Sequence, residues 1–232
     1  MSVAIISRMK RISAVDHVLK ALYVSSLASV LLYVISTHYY GAGPFWFLNW
    51  NLVLAWLPLG LVLLLKRYIK SNPWASWRGG ILTTLWLIFL PNSFYLISDF
   101  IHLGFAGHGQ TFYYVIMLFS YSFTGLMLGF TSVYILHQEL LNRLKYNSAH
   151  TCIALVLLIC SFAVYLGRYL RWNTWDIVLH PVGVVFDVSD RVINPVAHGQ
   201  TFQVTAMFFI LLSSTYFTLW HLAQAVRQNK LP

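Results

Sequence analysis

Asn92, Tyr95, Asp99 and His102 recur at steps of three and four residues, and a second polar run follows far downstream: Arg168, Arg171, Trp172, Asn173, Trp175 and Asp176. At 100° per residue the first four fall within an arc of about 80° on one helix face. A carboxylate and an imidazole at i and i+3 can share a proton or a ligand, which suits acid–base chemistry or metal binding by Asp99 and His102. Tyr95 and Asn92 would then orient a substrate. The two arginines could clamp a phosphate or other anion, or pair with Asp99 or Asp176. A plainer role stands beside this one. Polar side chains glue membrane helices together at about 0.6 kcal/mol per contact, and Trp and Arg anchor at headgroups. Ionisable residues inside apolar segments are nonetheless functional candidates by default.

Composition defines the elements that must carry these residues. The 232-residue chain is 59% hydrophobic and only 9% charged, against about 25% charged in an ordinary soluble domain. That excludes a soluble globular protein, a disordered chain and a nucleic-acid-binding domain. Six stretches lack Asp, Glu, Lys and Arg: 21–39, 45–65, 81–97, 112–136, 151–167 and 202–220. Each approaches the roughly 20 apolar residues that cross a bilayer core, and in lipid such segments are helices. The expected fold is all-α: a single domain over 1–232, an integral membrane bundle of six transmembrane helices. Threading them places twelve Lys and Arg on the side of the termini, while Arg168, Arg171 and Arg191 lie opposite. By the positive-inside rule both termini are cytoplasmic. The net charge of +9 then reflects orientation and attraction to anionic lipid. The bilayer is the partner, and nucleic acid is not.

The outer side holds four of the six acidic residues, five of the nine histidines and the longest loop, 168–197. Pro91 should kink the third helix and free the carbonyl of Leu87, giving Asn92 a partner about 7.5 Å inside the apolar segment. After Gly167 two readings stand. Either the fifth helix continues, with Arg168, Arg171, Trp172 and Trp175 on one face, or Asn173 or Thr174 caps a short interfacial helix ended by His180-Pro181.

The pentapeptide His108-Gly109-Gln110-Thr111-Phe112 recurs as His198-Gly199-Gln200-Thr201-Phe202, each preceded by Ser-Asp. This is either a duplication bringing His108 and His198 together as secondary site candidates, or a shared helix entry with Gly turning and Thr capping. His17, His137, His150 and His221 sit near the cytoplasmic ends; a paired haem site is conceivable there, but they read as ordinary interfacial histidines. Cys152 and Cys160, about 12 Å apart on one helix, do not form a disulfide. The first apolar segment lacks a small-x-small cleavage site and reads as an uncleaved helix. No phosphate loop, zinc-protease motif or nucleophile elbow is present, and the sequence specifies neither metal nor cofactor.

Leu90-Pro91-Asn92, Tyr95, Ser98-Asp99 and His102, followed by Leu166-Gly167-Arg168, Arg171-Trp172-Asn173, Thr174, Trp175-Asp176 and Asn194-Pro195, resemble a family of bacterial multi-pass membrane proteins of unknown function. The signatures are LPNxxYxx[ST]DxxH and LGRxxRWN[ST]WD, and the likeness runs from about residue 80 to 220. It implies a bacterial cytoplasmic membrane and supplies no activity. From the residues, a site at the outer leaflet that binds or processes an anionic or lipid-linked substrate ranks first. A scaffold held by an Asp99–Arg168 pair follows, and a transporter is third, because the polar stripe does not continue inward. On the first reading, Asp99→Asn and Arg168→Ala abolish activity and leave the protein in the membrane.

Overall fold

The computed structural model describes residues 3–40, 44–105 and 109–228, with the side chains of 15–40, 45–104 and 109–228. Its helices are α1 (Val3–Tyr40), α2 (Phe47–Tyr68), α3 (Trp77–Phe89), α4 (Pro91–Tyr95), α5 (Thr111–Leu141), α6 (Tyr146–Tyr169), α7 (Asp176–Leu179), α8 (Pro181–Ile193) and α9 (Gly199–Gln228). A 3-10 segment, Leu96–Phe105, continues directly from α4. Among the described residues there is no strand.

Six helices are long and apolar enough to cross a membrane: Val15–Tyr40, Phe47–Tyr68, Trp77–Gly104, Thr111–Leu141, Tyr146–Tyr169 and Gly199–Gln228. Each contains most of an expected segment, and most run further at both ends. The reason is that Lys20, Lys66, Arg67, Arg78, Glu139, Arg168 and Arg227 lie inside the helices. Long charged side chains can lay their stems along apolar surface and send only the head toward water.

The hub is α5, buried along its length from Tyr114 to His137. It meets α1, α2, α4, the 3-10 segment and α6, while α9 packs mainly on α6. Hydroxyls join these helices: Ser25 Oγ lies 2.6 Å from Thr124 Oγ1 and Ser29 Oγ lies 2.8 Å from Ser120 Oγ. Trp86 Nε1 donates to Ser132 Oγ at 2.7 Å. In lipid, where no hydrophobic force distinguishes helix from solvent, such bonds and small residues bring helices together. Gly125 and Gly129 supply the small residues. A Cβ on Gly125 would lie 2.6 Å from the Ser93 carbonyl oxygen, and one on Gly129 would lie 2.7 Å from the Phe94 ring.

The third span is broken rather than simply kinked. Pro91 opens α4 at its first position, where its missing N–H costs nothing. Ser93 N–H reaches back to Leu90 at 3.1 Å, and the Asn92 amide takes the Phe89 carbonyl at 2.9 Å. The partner expected from the sequence was Leu87. The tight turn instead presents a carbonyl two positions later in the chain. Ser93 Oγ then donates to Ala55 O of α2, and Ser122 Oγ of α5 donates to Leu96 O, both at 2.9 Å. These bonds fix the start of the 3-10 segment between its neighbours.

The helix-entry echo divides. Gly109 adopts a left-handed conformation, φ +89°, before α5, whereas Gly199 is already the first residue of α9. Gln110 precedes α5 without a side-chain cap, and Thr201 is buried inside the first turns of α9. Neither threonine is the expected cap. His108 lies outside the described residues. His137, near the end of α5, is fully buried inside the bundle: its Nδ1 lies 2.9 Å from Tyr216 Oη, and its ring stacks on Trp220 at 4.2 Å. Cys152 and Cys160 are both free thiols.

Candidate functional site

Near the end of α6, the Arg168 guanidinium gathers the polar stripe. Its Nη2 donates to Asp99 Oδ1 and, at 2.7 Å, to Ser98 Oγ; its Nε donates to the same hydroxyl at 2.9 Å. Its Nη1 lies 3.1 Å from His102 Nε2. Arginine can only donate, so Nε2 accepts and the His102 ring carries its proton on Nδ1. The Ser98 hydroxyl hands its own hydrogen to the Tyr95 carbonyl at 2.6 Å, which leaves its lone pairs for Arg168. The guanidinium also lies over the Tyr95 ring, 4.4 Å from its centre.

Asp99 is 1% exposed. Its second oxygen accepts from Asn51 Nδ2 of α2 at 3.2 Å. With one oxygen on Arg168 and the other on Asn51, this carboxylate holds the arginine in place. The 3-10 winding brings this about. At three residues per turn, Leu96, Asp99 and His102 fall on one line. The stripe expected to fan across 80° of an α-helix is therefore straight over its outer half.

These groups border a cavity of about 380 Å³ between α2, the broken third span, α6 and the segment after it. Asn92, Tyr95, Asp99, His102, Arg168, Trp172, Asn173 and Trp175 all line it. Of the remaining lining residues, Phe47, Trp50 and Asn51 were not singled out from the sequence, and Thr174 was read only as a possible cap and signature residue. Asn51 was the one with a legible signal: an amide in the apolar segment 45–65 needs a partner. Thr174 Oγ1 meets the Asn92 amide at 2.9 Å, tying the loop after α6 to the break in the third span. Phe47 lies 5.0 Å from the His102 ring. Leu54, Ile88, Pro91, Ala163 and Leu166 complete an apolar floor.

Two expected site residues stand apart. α6 stops at Tyr169, and Arg171 takes a left-handed φ of 60°. That reversal separates Arg171 from Arg168: it is exposed, borders no part of the cavity and makes no ion pair or hydrogen bond among the described residues. Asp176 is buried and turned back on its own chain, where its Oδ2 accepts the Asn173 N–H at 2.7 Å. It closes the turn that leads into α7 and reaches no arginine. Trp175 holds the N-cap position of α7 without a side-chain bond, so neither Asn173 nor Thr174 caps that helix. His180-Pro181 ends α7 as expected from the second reading of this loop, but a longer helix, α8, follows.

α8 is pinned to the cavity wall from outside. Trp172 Nε1 donates to Asp187 Oδ2 at 2.7 Å, while Arg191 Nη1 holds the other oxygen at 3.2 Å. Gly183 lies against the Trp172 ring so closely that a Cβ would approach it to 2.9 Å. At the far end His198 Nε2 donates to Asp190 Oδ2 at 2.7 Å and Asn194 Nδ2 donates to Oδ1 at 2.8 Å. His198 is thus spent on the turn between α8 and α9 and lies outside the residues lining the cavity.

The bonds from Asn194 and His198 hold the Asp190 carboxyl below its ordinary range. The folded state favours the ionised form, so the stabilisation is complete above the ordinary carboxylate range and disappears as pH falls through it and below. Protection from hydrogen exchange across 194–198, taken relative to the intrinsic rate at each pH, is therefore expected to fall between neutral pH and about pH 3. In Asp190→Asn that loss of protection should vanish; an unchanged pH response would overturn the assignment.

Among the described residues no three His, Cys, Asp or Glu side chains converge as a metal-ligand set. Asp99 and His102 both face Arg168. What the arrangement can do is hold a rigid, overall neutral donor–acceptor cluster at one end of an aromatic and aliphatic chamber. No curated protein and no solved structure matches the chain. A model of one family, whose members are described as proteins of unknown function, matches residues 50–215 and so takes in every cavity-lining residue except Phe47. With more than half of its length so matched, the chain belongs to the DUF1361 family.

Proposed function

We propose that this protein is a membrane bundle that binds an amphiphilic, lipid-like molecule in the cavity beside Arg168. The observation that carries this reading is the cavity itself: about 380 Å³, within the range of small-molecule sites, mostly apolar, with a few fixed polar groups at one end. The headgroup lies toward Arg168, His102 and Asn173, and the hydrocarbon lies along Leu54, Ile88 and Ala163. Arg168 offers a polar headgroup its remaining Nη1 hydrogen. Asp99 is a positioning residue, and His102, accepting from Arg168 at Nε2, borders the headgroup end of the cavity. The basic residues favour an orientation with both termini cytoplasmic and the cavity at the outer leaflet. The family resemblance adds a bacterial cytoplasmic membrane.

The test is lipid retention by protein extracted into mild detergent, read by native mass spectrometry. Ala163→Trp fills the floor and is expected to reduce the bound lipid-like species about tenfold, the equivalent of about 1.4 kcal/mol. Leu155→Trp, on the exposed face of α6, serves as the control and should retain it. Equal occupancy in Ala163→Trp and wild type would sink the reading.

One observation favours a second reading. Four hydrogen bonds to Ser98, Asp99 and His102 already occupy most of the Arg168 donors. A scaffold needs only that closure, and no ligand.

A further inference from the structure

The face of α8 is inverted relative to a helix on a water-exposed surface. Gly183, Asp187 and Arg191 turn toward the bundle, and Arg191 is 8% exposed. Val182, Val185, Phe186, Val192 and Ile193 turn away, Val182 at 81% and Phe186 at 70% exposed. Val182, Val185 and Phe186 sit three and four residues apart, and Val192 and Ile193 return to the same arc of about 120° two turns later, with Ser189 between the two groups. Val178 and Leu179 of α7 and Val196 in the following turn extend it, all largely exposed. Burying this apolar face in water-free surroundings is worth about 25 cal/mol per Å² of apolar surface, and the described residues leave most of it uncovered.

Its place in the chain says what covers it. The segment from Asp176 to Ile193 lies between the end of one candidate span, Tyr169, and the start of the next, Gly199. Both neighbouring spans leave large apolar side chains exposed, among them Leu155 and Ile159 of α6 and Phe202 and Met207 of α9. α8 carries two acidic residues and one arginine, so attraction to anionic headgroups does not hold it; apolar contact must.

We propose that α8 lies in the bilayer interface, with its Val182–Phe186–Ile193 face sunk among the acyl chains and its polar face latched to Trp172. The occupant of this surface is bilayer lipid. The inference stands independently of any ligand in the cavity. Ile177 and Val184 line that cavity, so its wall on this side is a thin layer with lipid beyond it.

The experiment places a small environment-sensitive fluorophore on Phe186→Cys, and separately on Val182→Cys, in a Cys152→Ser, Cys160→Ala background reconstituted into phospholipid nanodiscs. Leu155→Cys on α6 gives the lipid reference. Lys70→Cys, in the exposed turn after α2, gives the aqueous reference. Both α8 probes are expected to be quenched by lipid-borne nitroxide to nearly the Leu155 level and by iodide far less than Lys70. Iodide quenching at the Lys70 level without nitroxide quenching, at both positions, would overturn the proposal. Because the readout needs no cavity ligand, this failure is separable from failure of the lipid-retention test.

Discussion

Arg168→Ala is expected to cost about 3–5 kcal/mol of folding stability, as removal of one member of a buried ion pair does. Most of the loss comes from the partner left behind. Asp99, 1% exposed, would keep only the Asn51 amide. The sequence alone led us to expect loss of activity with the fold intact, and the closure around Arg168 changes that expectation. Asp99→Asn should be milder, because Arg168 keeps Ser98 and His102 and its side chain is already 12% exposed. Combining Asp99→Asn with Arg168→Ala removes both charges and should recover much of the stability. Thermal unfolding in detergent reads the first effect and lipid retention the second. If the double variant regains stability and still fails to retain lipid, the arginine serves the ligand. If both recover together, the pair is architectural and the scaffold reading gains.

Gly125→Val is expected to destabilise by about 1–3 kcal/mol and to abolish lipid retention together. The obstacle is backbone: the Ser93 carbonyl oxygen lies 2.6 Å from where the new Cβ would sit. A carbonyl bound into α4 cannot rotate away like a side chain, so the broken span must slide. Everything downstream of it, Tyr95 to His102, moves relative to Arg168. Gly60→Val, where a Cβ meets nothing within 4 Å, is the matched control and should leave both properties unchanged. Normal retention in a correctly folded Gly125→Val would refute the claim that this contact sets the site.

The six spans were legible because charge-free runs of sufficient length have few other uses. Their ends were not, since Lys20, Arg78 and Arg168 sit inside helices that outlast the apolar stretch. That Asn92, Tyr95, Asp99 and His102 share one place was legible because an ionisable or amide group in an apolar setting stands out. Asn51 belongs to another helix, and only folding brings it to Asp99. Arg171 was misread because nothing in its neighbours announces a left-handed residue; an arginine there is uncommon. α8 escaped for a different reason. Its pattern is an ordinary amphipathic repeat, and only position tells which face looks inward. Likewise distance along the helix places His137 near the cytoplasmic end, and only packing against His150 of α6 and Trp220 of α9 shows that its ring is enclosed.

The winding of Leu96–Phe105 also sets a length. A 3-10 helix rises about 2.0 Å per residue and turns 120°, against 1.5 Å and 100° for an α-helix. Over the six steps from Leu96 to His102 the difference accumulates to about 3 Å of travel and about 120° of rotation. Rewound as an α-helix, the same residues would draw His102 inward and swing it off the line it shares with Asp99. The imidazole–guanidinium contact is therefore a gauge of how tightly ten residues are wound, and any change in their pitch would be registered at Arg168 as the arrival or departure of a ring.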